Sequence, residues 1–566
     1  MKKILVGTLA IAAGVLIAVA LMLPPRAVPL RQPEWRPAGT PWRGAFHVHT
    51  NRSDGTGTID EVAAAAARAG LQFVVLADHG DGTRPPEPPR YLSNVLVIDG
   101  VEIGTTGGHY VAVGLPRAPY PLGGEARDVA ADVARLGGLG VIAHPDSPKG
   151  DLAWQDWEVP FDALEWLNAD SQWRDEGPLR LARAILTYPF RPPETLASLL
   201  NRGDVLERWD RLSAGRPIPA LAAADAHARI GIGGGGDPYG GRAILAWPSY
   251  EASFRTFSLH AVAAPPRTGR ADEDARQVVN ALRQGRVHTV VDAWASPAVF
   301  EFSAKGGGVE AGEGGELVTA EPVVIRVRSN APLYAAVVLR RNGTEVHRVD
   351  RQSLVYATDR PGRYRAEVVL GQQDGRPGVP WIVSNAIVVR APGEEPSANG
   401  PQAGGASLEG AQERGLSLEW RLEHDPRSHA EVVREDREGG GAALRYRLAA
   451  GRKAGQFAAI STPVRLAGAD RGVAFTARAD RPMRVSVQFR APGGRDGERW
   501  QRSVYLDQHP RRFVVRFAEM TPAGATSTPH LSPSLVDALL FVVDTVNTAP
   551  GSGGSFLVSR VGVLAF

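Results

Sequence analysis

The chain has 566 residues, 43% hydrophobic and 22% charged, with a formal net charge of +3. That is the composition of a folded, multi-domain protein, and its near balance of charge does not imply nucleic-acid binding. No Cys is present, which excludes disulfides, zinc thiolates and a thiol nucleophile.

Lys2 and Lys3 precede an uncharged apolar run over 4–23. About 20 helical residues cross a bilayer core, so residues 1–24 are expected to be an uncleaved transmembrane helix, with a cleaved signal as the alternative. The rest of the chain would then be extracytoplasmic, membrane-anchored, or secreted if the segment is cleaved. Pro24 to Pro41 carries six prolines, and 25–41 reads as an extended stalk.

A strand starts at 44. Residues 58–69 form an Ala-rich helix stopped by Gly70. The runs 71–77, 95–101, 110–115, 139–143, 163–167, 220–224 and 242–246 have the length of buried strands. Helical patterns lie at 125–136, 178–187, 193–202 and 204–213, and a last helix at 272–284 ends at Gly285. This alternation predicts parallel βαβ units, closed or nearly closed into an α/β barrel over 42–295. Beyond it the strands are short and separated by Asn-Gly and Pro-Gly turns. We expect a small Ig-like β-sandwich over 296–391, a linker over 392–415 and a jelly-roll-like β-sandwich over 416–566.

Six of the thirteen histidines lie between 47 and 227, each beside a strand-like run. They are His47, His49, His79, His109, His144 and His227. Asp54, Glu102 and Asp225 share the stretch. Imidazole and carboxylate together suit divalent transition metals, at three or four ligands per ion. Nine such ligands provide for two or three ions. His47 and His49 are two apart on a strand and point the same way. Most of the ligands fall at or just past C-terminal strand ends, where barrels place their sites. The other seven histidines lack such company and read as structural. Trp154, Trp157, Trp166, Trp173, Trp420 and Trp500 read as packing, and Gly231–Gly236 as a flexible loop near the site, since no Gly-Lys-Ser/Thr follows.

In order, the motifs are His47-Val48-His49-Thr50 with Ser53-Asp54-Gly55, then Asp78-His79, Glu102 with His109, Ala143-His144-Pro145, and Asp225-Ala226-His227. This series resembles the polymerase-and-histidinol-phosphatase (PHP) superfamily. Glu165-Trp166-Leu167-Asn168 and the segment 281–293 are similar too. The multi-domain form, with Pro380 to Asn385 closing the second domain, resembles the CehA/McbA-type metallohydrolases. The resemblance implies a distorted (β/α)7 barrel holding two or three divalent metals (Zn, Mn or Fe). Carried over by position, His47, His49, Glu102 and Asp225 would hold one ion. Glu102, His109 and His144 would hold a second, and Asp54, His79 and His227 a third.

A hydroxide generated on the metals is then the expected nucleophile. Asp78 is a candidate for proton handling and Arg52 for anion binding. The expected function is a membrane-anchored, metal-dependent hydrolase, a phosphoesterase acting on a small-molecule or cell-envelope ester. Two alternatives stand beside it. One is hydrolysis of a carboxylic ester or carbamate at the same site. The other is a non-catalytic surface protein with a vestigial barrel, whose C-terminal domain binds glycan or a partner. No nucleic-acid partner is expected.

Overall fold

In the computed structural model, β1 (Val28–Pro29) pairs in parallel with Ala295–Ser296. The segment expected as a free stalk is therefore tied down in part, and Asn330 Nδ2 also donates to the Arg31 carbonyl at 3.1 Å. The structure describes residues 14, 16–37, 39–232, 242–245, 247–262, 267–371, 378–394, 412–435 and 440–565. Most of the expected anchor over 1–24, much of Gly231–Gly236 and most of the linker over 392–415 lie outside the described residues. Among those described, no helix is long and apolar enough to cross a membrane. The chain divides into two compact units. One comprises 1–81, 85–116 and 125–402, and the other 82–84, 117–124 and 403–566.

In the first unit, β2 (Trp42–Val48) is almost wholly buried. Helix α1 (Ile59–Arg68) begins at a capping box. Thr58 accepts from Glu61 N, and Thr58 N donates back to the Glu61 side chain. Its buried face is Val62, Ala63, Ala65 and Ala66, small enough for close approach to the sheet. β3 (Phe73–Leu76) runs parallel to β2, followed by β4 (Arg90–Leu92) and β5 (Val95–Ile98).

The single strand expected over 95–101 is broken at Asp99. β6 (Gly100–Thr105) belongs to a different sheet, because the Asp99 carboxylate turns aside to accept from Arg52 and from Glu87 N. β7 (Gly108–Val113) returns antiparallel on β6. Only Thr106 and Gly107 connect them, too few for the crossover that a parallel pair needs. After α2 (Ala126–Arg135), β8 (Leu139–Ile142) pairs antiparallel with β7, and β9 (Ala163–Asn168) runs parallel to β8. Helices α3 (Ala169–Arg174), α4 (Pro178–Thr187), α5 (Pro192–Ala197) and α6 (Val205–Leu212) lead to β10 (Ala220–Ala223), parallel to β9. The expectation of uniform parallel βαβ units is thus corrected to a mixed arrangement.

Strands β6 to β10 form a five-stranded sheet, while β2 to β5 belong to a twelve-stranded one. The two meet at one end. Ala224 N donates to Phe46 O at 2.9 Å and His49 N to Ala226 O at 3.1 Å. At the other junction Glu102 N donates to Asp78 O at 3.2 Å and Gly80 N to Glu102 O at 3.0 Å. Single bridges join Val48 to Ala226 and His79 to Glu102.

The region expected as a separate Ig-like sandwich contributes strands to the large sheet. Ile382–Ser384 pairs with Val287–Val290, and a four-stranded sheet contains Phe300–Gly306 and Val323–Ser329. Residues 380–385 act as a seal. Trp381 is fully buried, and its Nε1 donates to Ala295 O at 3.1 Å. Asn385 accepts from Ala220 N at 2.7 Å and donates to Ala220 O at 3.0 Å and Val287 O at 2.7 Å.

The second unit is a β-sandwich of two six-stranded sheets. Trp500, Phe475, Phe489, Phe541 and Phe556 fill the space between them. Trp420 and Trp500 are buried in this core, as packing residues should be.

Asn385→Ala orphans three buried backbone groups, each costing about 1–3 kcal/mol. We expect the first unit to lose about 2–4 kcal/mol by this logic. Urea unfolding checks it, and an unchanged midpoint would refute the stitching role.

Candidate metal centre

All nine predicted ligands converge where the two sheets meet. Their donor atoms face one another across short gaps. His47 Nε2 and His49 Nε2 are 3.0 Å apart. Both approach Glu102 Oε2, at 3.2 and 3.3 Å, and Asp225 Oδ1, at 3.4 and 3.3 Å. The other Glu102 oxygen, Oε1, lies 2.8 Å from both His109 Nδ1 and His144 Nε2. A third cluster gathers around Asp54. His49 Nδ1 is 3.4 Å from it, His79 Nε2 3.6 Å and His227 Nε2 3.3 Å. His79 also faces Glu102 through Nδ1 at 3.2 Å. Three ligand groups each have donor atoms within 4.8 Å of one another: His47, His49 and Asp225; His49, Asp54, His79 and His227; His79, Glu102 and His109.

This donor set fits divalent cations. It is all nitrogen and oxygen, it is buried or half-buried, and the donor atoms of each group lie close enough to share one ion. The backbone is bent to achieve it. His47, His144 and Asp225 have φ of 61°, 27° and 41°, a region that non-glycine residues rarely occupy and that clusters at functional sites. Gly55 follows Asp54 for a steric reason, since a Cβ there would lie 2.5 Å from the His49 carbonyl oxygen.

The charges are strongly coupled. Burial would raise Glu102, but His47, His79 and His109 outweigh it and hold the carboxyl well below its usual range. Asp225 is likewise depressed against burial, chiefly by His47 and His49. Burial pulls His144 and His227 down. Glu102 lifts His144 to about 9, and Asp54 with Asp225 lifts His227 to about 10. His79 falls to about 4, because burial dominates there.

Asp78 and Arg52, the candidates for proton transfer and anion binding, are placed differently. Asp78 accepts from Thr50 N, Thr50 Oγ1, Ser53 Oγ and Arg52 at 2.7–3.0 Å. Arg52 spends its guanidinium on Asp78, Asp99 and Glu87. Both groups are saturated, so they lock the loop carrying Asp54 rather than face a substrate.

Glu165 is a positioning residue that motif reading left without a role. It is fully buried. Its Oε1 sits 2.6 Å from His47 Nδ1, while Oε2 accepts from His144 N at 2.7 Å and Asn168 Nδ2 at 2.8 Å. It turns the Nε2 of His47 toward the cluster. An acid inside the apolar run 163–168 was the available signal. Tyr250 is a second such residue, its hydroxyl donating to His49 O at 2.8 Å. Beside Asp225 and His227 lies a narrow cavity of about 40 Å³, walled by Trp173, Leu196, Leu199, Leu200, Arg229 and Pro248. Trp154 and Trp166 pack in the core, whereas Trp173 does line this cavity.

No family model and no curated protein matches the chain. Among solved structures, matches include the family 11 carbohydrate-binding module of a cellulosomal cellulase of Clostridium thermocellum. It is 13% identical and covers 27% of this chain and 95% of that one, with a TM-score of 0.23. A family 4 carbohydrate-binding module is 16% identical over 26% and 86%, with a TM-score of 0.19. An exo-beta-agarase is 7% identical over 26% and 24%, with a TM-score of 0.19. Likenesses this weak carry nothing for the site.

Two outcomes follow from the geometry. His144 and His227 are protonated at neutral pH without metal, yet must be neutral to bind one. Titrating Zn or Mn into weakly buffered protein at pH 7 should therefore release protons, and affinity should rise with pH up to about 10. Metal uptake without proton release would contradict the assignment. Glu165→Gln should weaken metal binding about 10–100-fold without altering the circular dichroism spectrum, as read by competition with a chelator. Unchanged affinity would remove Glu165 from the site.

Proposed function

We propose that this chain is a metal-dependent hydrolase of the PHP type, with phosphate esters as its substrates. The convergence of nine nitrogen and oxygen ligands on one buried junction carries this reading. The ring of contacts running β2, β3, β6, β7, β8, β9, β10 and back to β2 supports it. Pairing and the Val48–Ala226 and His79–Glu102 bridges connect each neighbour in that ring, which fits a distorted seven-stranded barrel.

Divalent ions bound there would supply Lewis acidity and an activated water, with no side-chain nucleophile required. The chain's own residues do the rest. Glu165 fixes the tautomer and direction of His47. Asp78 and Arg52 hold the Asp54 loop. Arg229 lines the cavity beside His227, its NH1 4.0 Å from Asp54 Oδ2. Arg174 stacks on Trp173 and is ion-paired with Asp170, so it braces α3. The Arg229 guanidinium, at the cavity beside His227, is the chain's candidate for orienting an anionic ester.

The charge of the cluster favours the phosphoryl group, which brings more negative charge to the transition state than a carbonyl does. A carboxylic ester or carbamate would use the same residues with less benefit. The test uses paired aryl phosphate and aryl acetate substrates on metal-loaded protein, with metal content measured in parallel. We expect two or three ions per chain, higher kcat/KM for the phosphate, and loss of turnover in His47→Ala and Asp225→Ala. A tenfold preference for acetate or carbamate would replace the phosphoesterase reading. Fewer than one ion per chain with no ester cleaved, together with retardation of the protein by soluble β-glucan in affinity electrophoresis, would put the glycan-binding alternative in its place.

A further inference from the structure

Helix α4 is the apolar surface feature that the metal site does not use. Leu179 is 86% exposed, and Ile185, Leu186 and Phe190 are 62%, 48% and 56% exposed. Leu179 and Leu186 are two turns apart and share one side of the helix, and exposed Phe190 follows in the turn just after it. The opposite side anchors the helix through buried Ala184 and Thr187. A water-exposed helix ordinarily hides its apolar stripe, whereas this one displays it.

The N-terminal apolar run reaches the same place. Arg183 Nε donates to Met22 O at 2.8 Å, and Arg191 NH1 donates to Pro24 O. Leu16, Ile17, Leu21 and Met22 are also largely exposed. Residues 4–23 contain no charged side chain, and a helix of about that length spans the hydrocarbon core. If that run crosses a bilayer, the chain emerges near Pro24, already bonded to the segment 183–191. Even fully extended, the two residues from Met22 to Pro24 cover only about 7 Å. Helix α4 is thereby held close to the lipid surface. Its cations fit that place. Arg180 lies on the anchoring face, paired with Glu176, whereas among the described residues Arg183 and Arg191 form no ion pair and donate to carbonyls instead. Apolar residues flanked by arginines are the pattern of a helix lying in a membrane interface.

We propose that α4 and Phe190 form a second membrane contact, lying in the interface of the bilayer that the N-terminal run enters, with Arg183 and Arg191 meeting anionic headgroups. The partner is a lipid surface, and the contact holds whichever ester the metal centre cleaves. It limits the rotation of the first unit on its anchor.

The absence of Cys makes every introduced thiol unique. The full chain is placed in vesicles containing phosphatidylglycerol and carries a nitroxide at Leu179→Cys, Leu186→Cys or Phe190→Cys. Val309→Cys, at another exposed position of the same unit, is the control. Collision with oxygen should exceed collision with a nickel chelate at the three α4 positions, and the order should reverse at 309. Leu179→Asp combined with Leu186→Asp should lift the label at 190 into water without changing the thermal midpoint. Water-like accessibility at all positions would overturn the proposal. So would an immobile label shielded from both reagents, because protein rather than lipid would then cover the helix.

Discussion

One buried carboxylate organises the first unit. Glu102 is 1% exposed, and five imidazoles approach it within 3.3 Å: His47, His49, His79, His109 and His144. A carboxylate removed from water is costly unless charge or hydrogen bonds compensate it. Here the compensation comes from five side chains on or just past four strands, β2, β3, β7 and β8, so the electrostatic demand and the strand arrangement constrain each other. The left-handed backbone at His47, His144 and Asp225 is the conformational cost of aiming so many groups at one point.

A shell of saturated polar contacts supports that arrangement. Glu165 grips His47 and His144 from one side. Asp78 and Arg52 grip the loop after His49 from the other. Tyr250 bonds the backbone carbonyls of His49 and His227. Because these partners are satisfied, they hold geometry and contribute little chemistry of their own. At the far end of β10, Asn385 closes the unit by joining Ala220 to Val287. The β region after the ligand-bearing strands is thus part of what keeps them in place.

Much of the local structure was legible in the chain. The helices near 58–69, 125–136, 178–187, 204–213 and 272–284 all form with small shifts at their ends. Capping residues, glycine stops and apolar spacing are local signals that act within one turn. The strands were found as apolar runs, but their direction was not, because direction depends on connections and partners. Val95 to Val101 reads as one run, yet it contains a change of sheet at Asp99, whose carboxylate is held by Arg52, distant in sequence, and by Glu87 N.

The chain by itself determined which residue types could bind metal and that they would sit beside buried strands. Side-chain chemistry and periodicity are properties of the sequence. Only the tertiary structure decided which oxygen of Glu102 faces which imidazole. It also made Asp78 and Arg52 a brace, brought out Glu165 as the residue that orients His47, and joined the β region after residue 296 to the ligand-bearing sheet. Each of these depends on hydrogen-bond partners many residues apart, and such partners are chosen only when the sheets assemble.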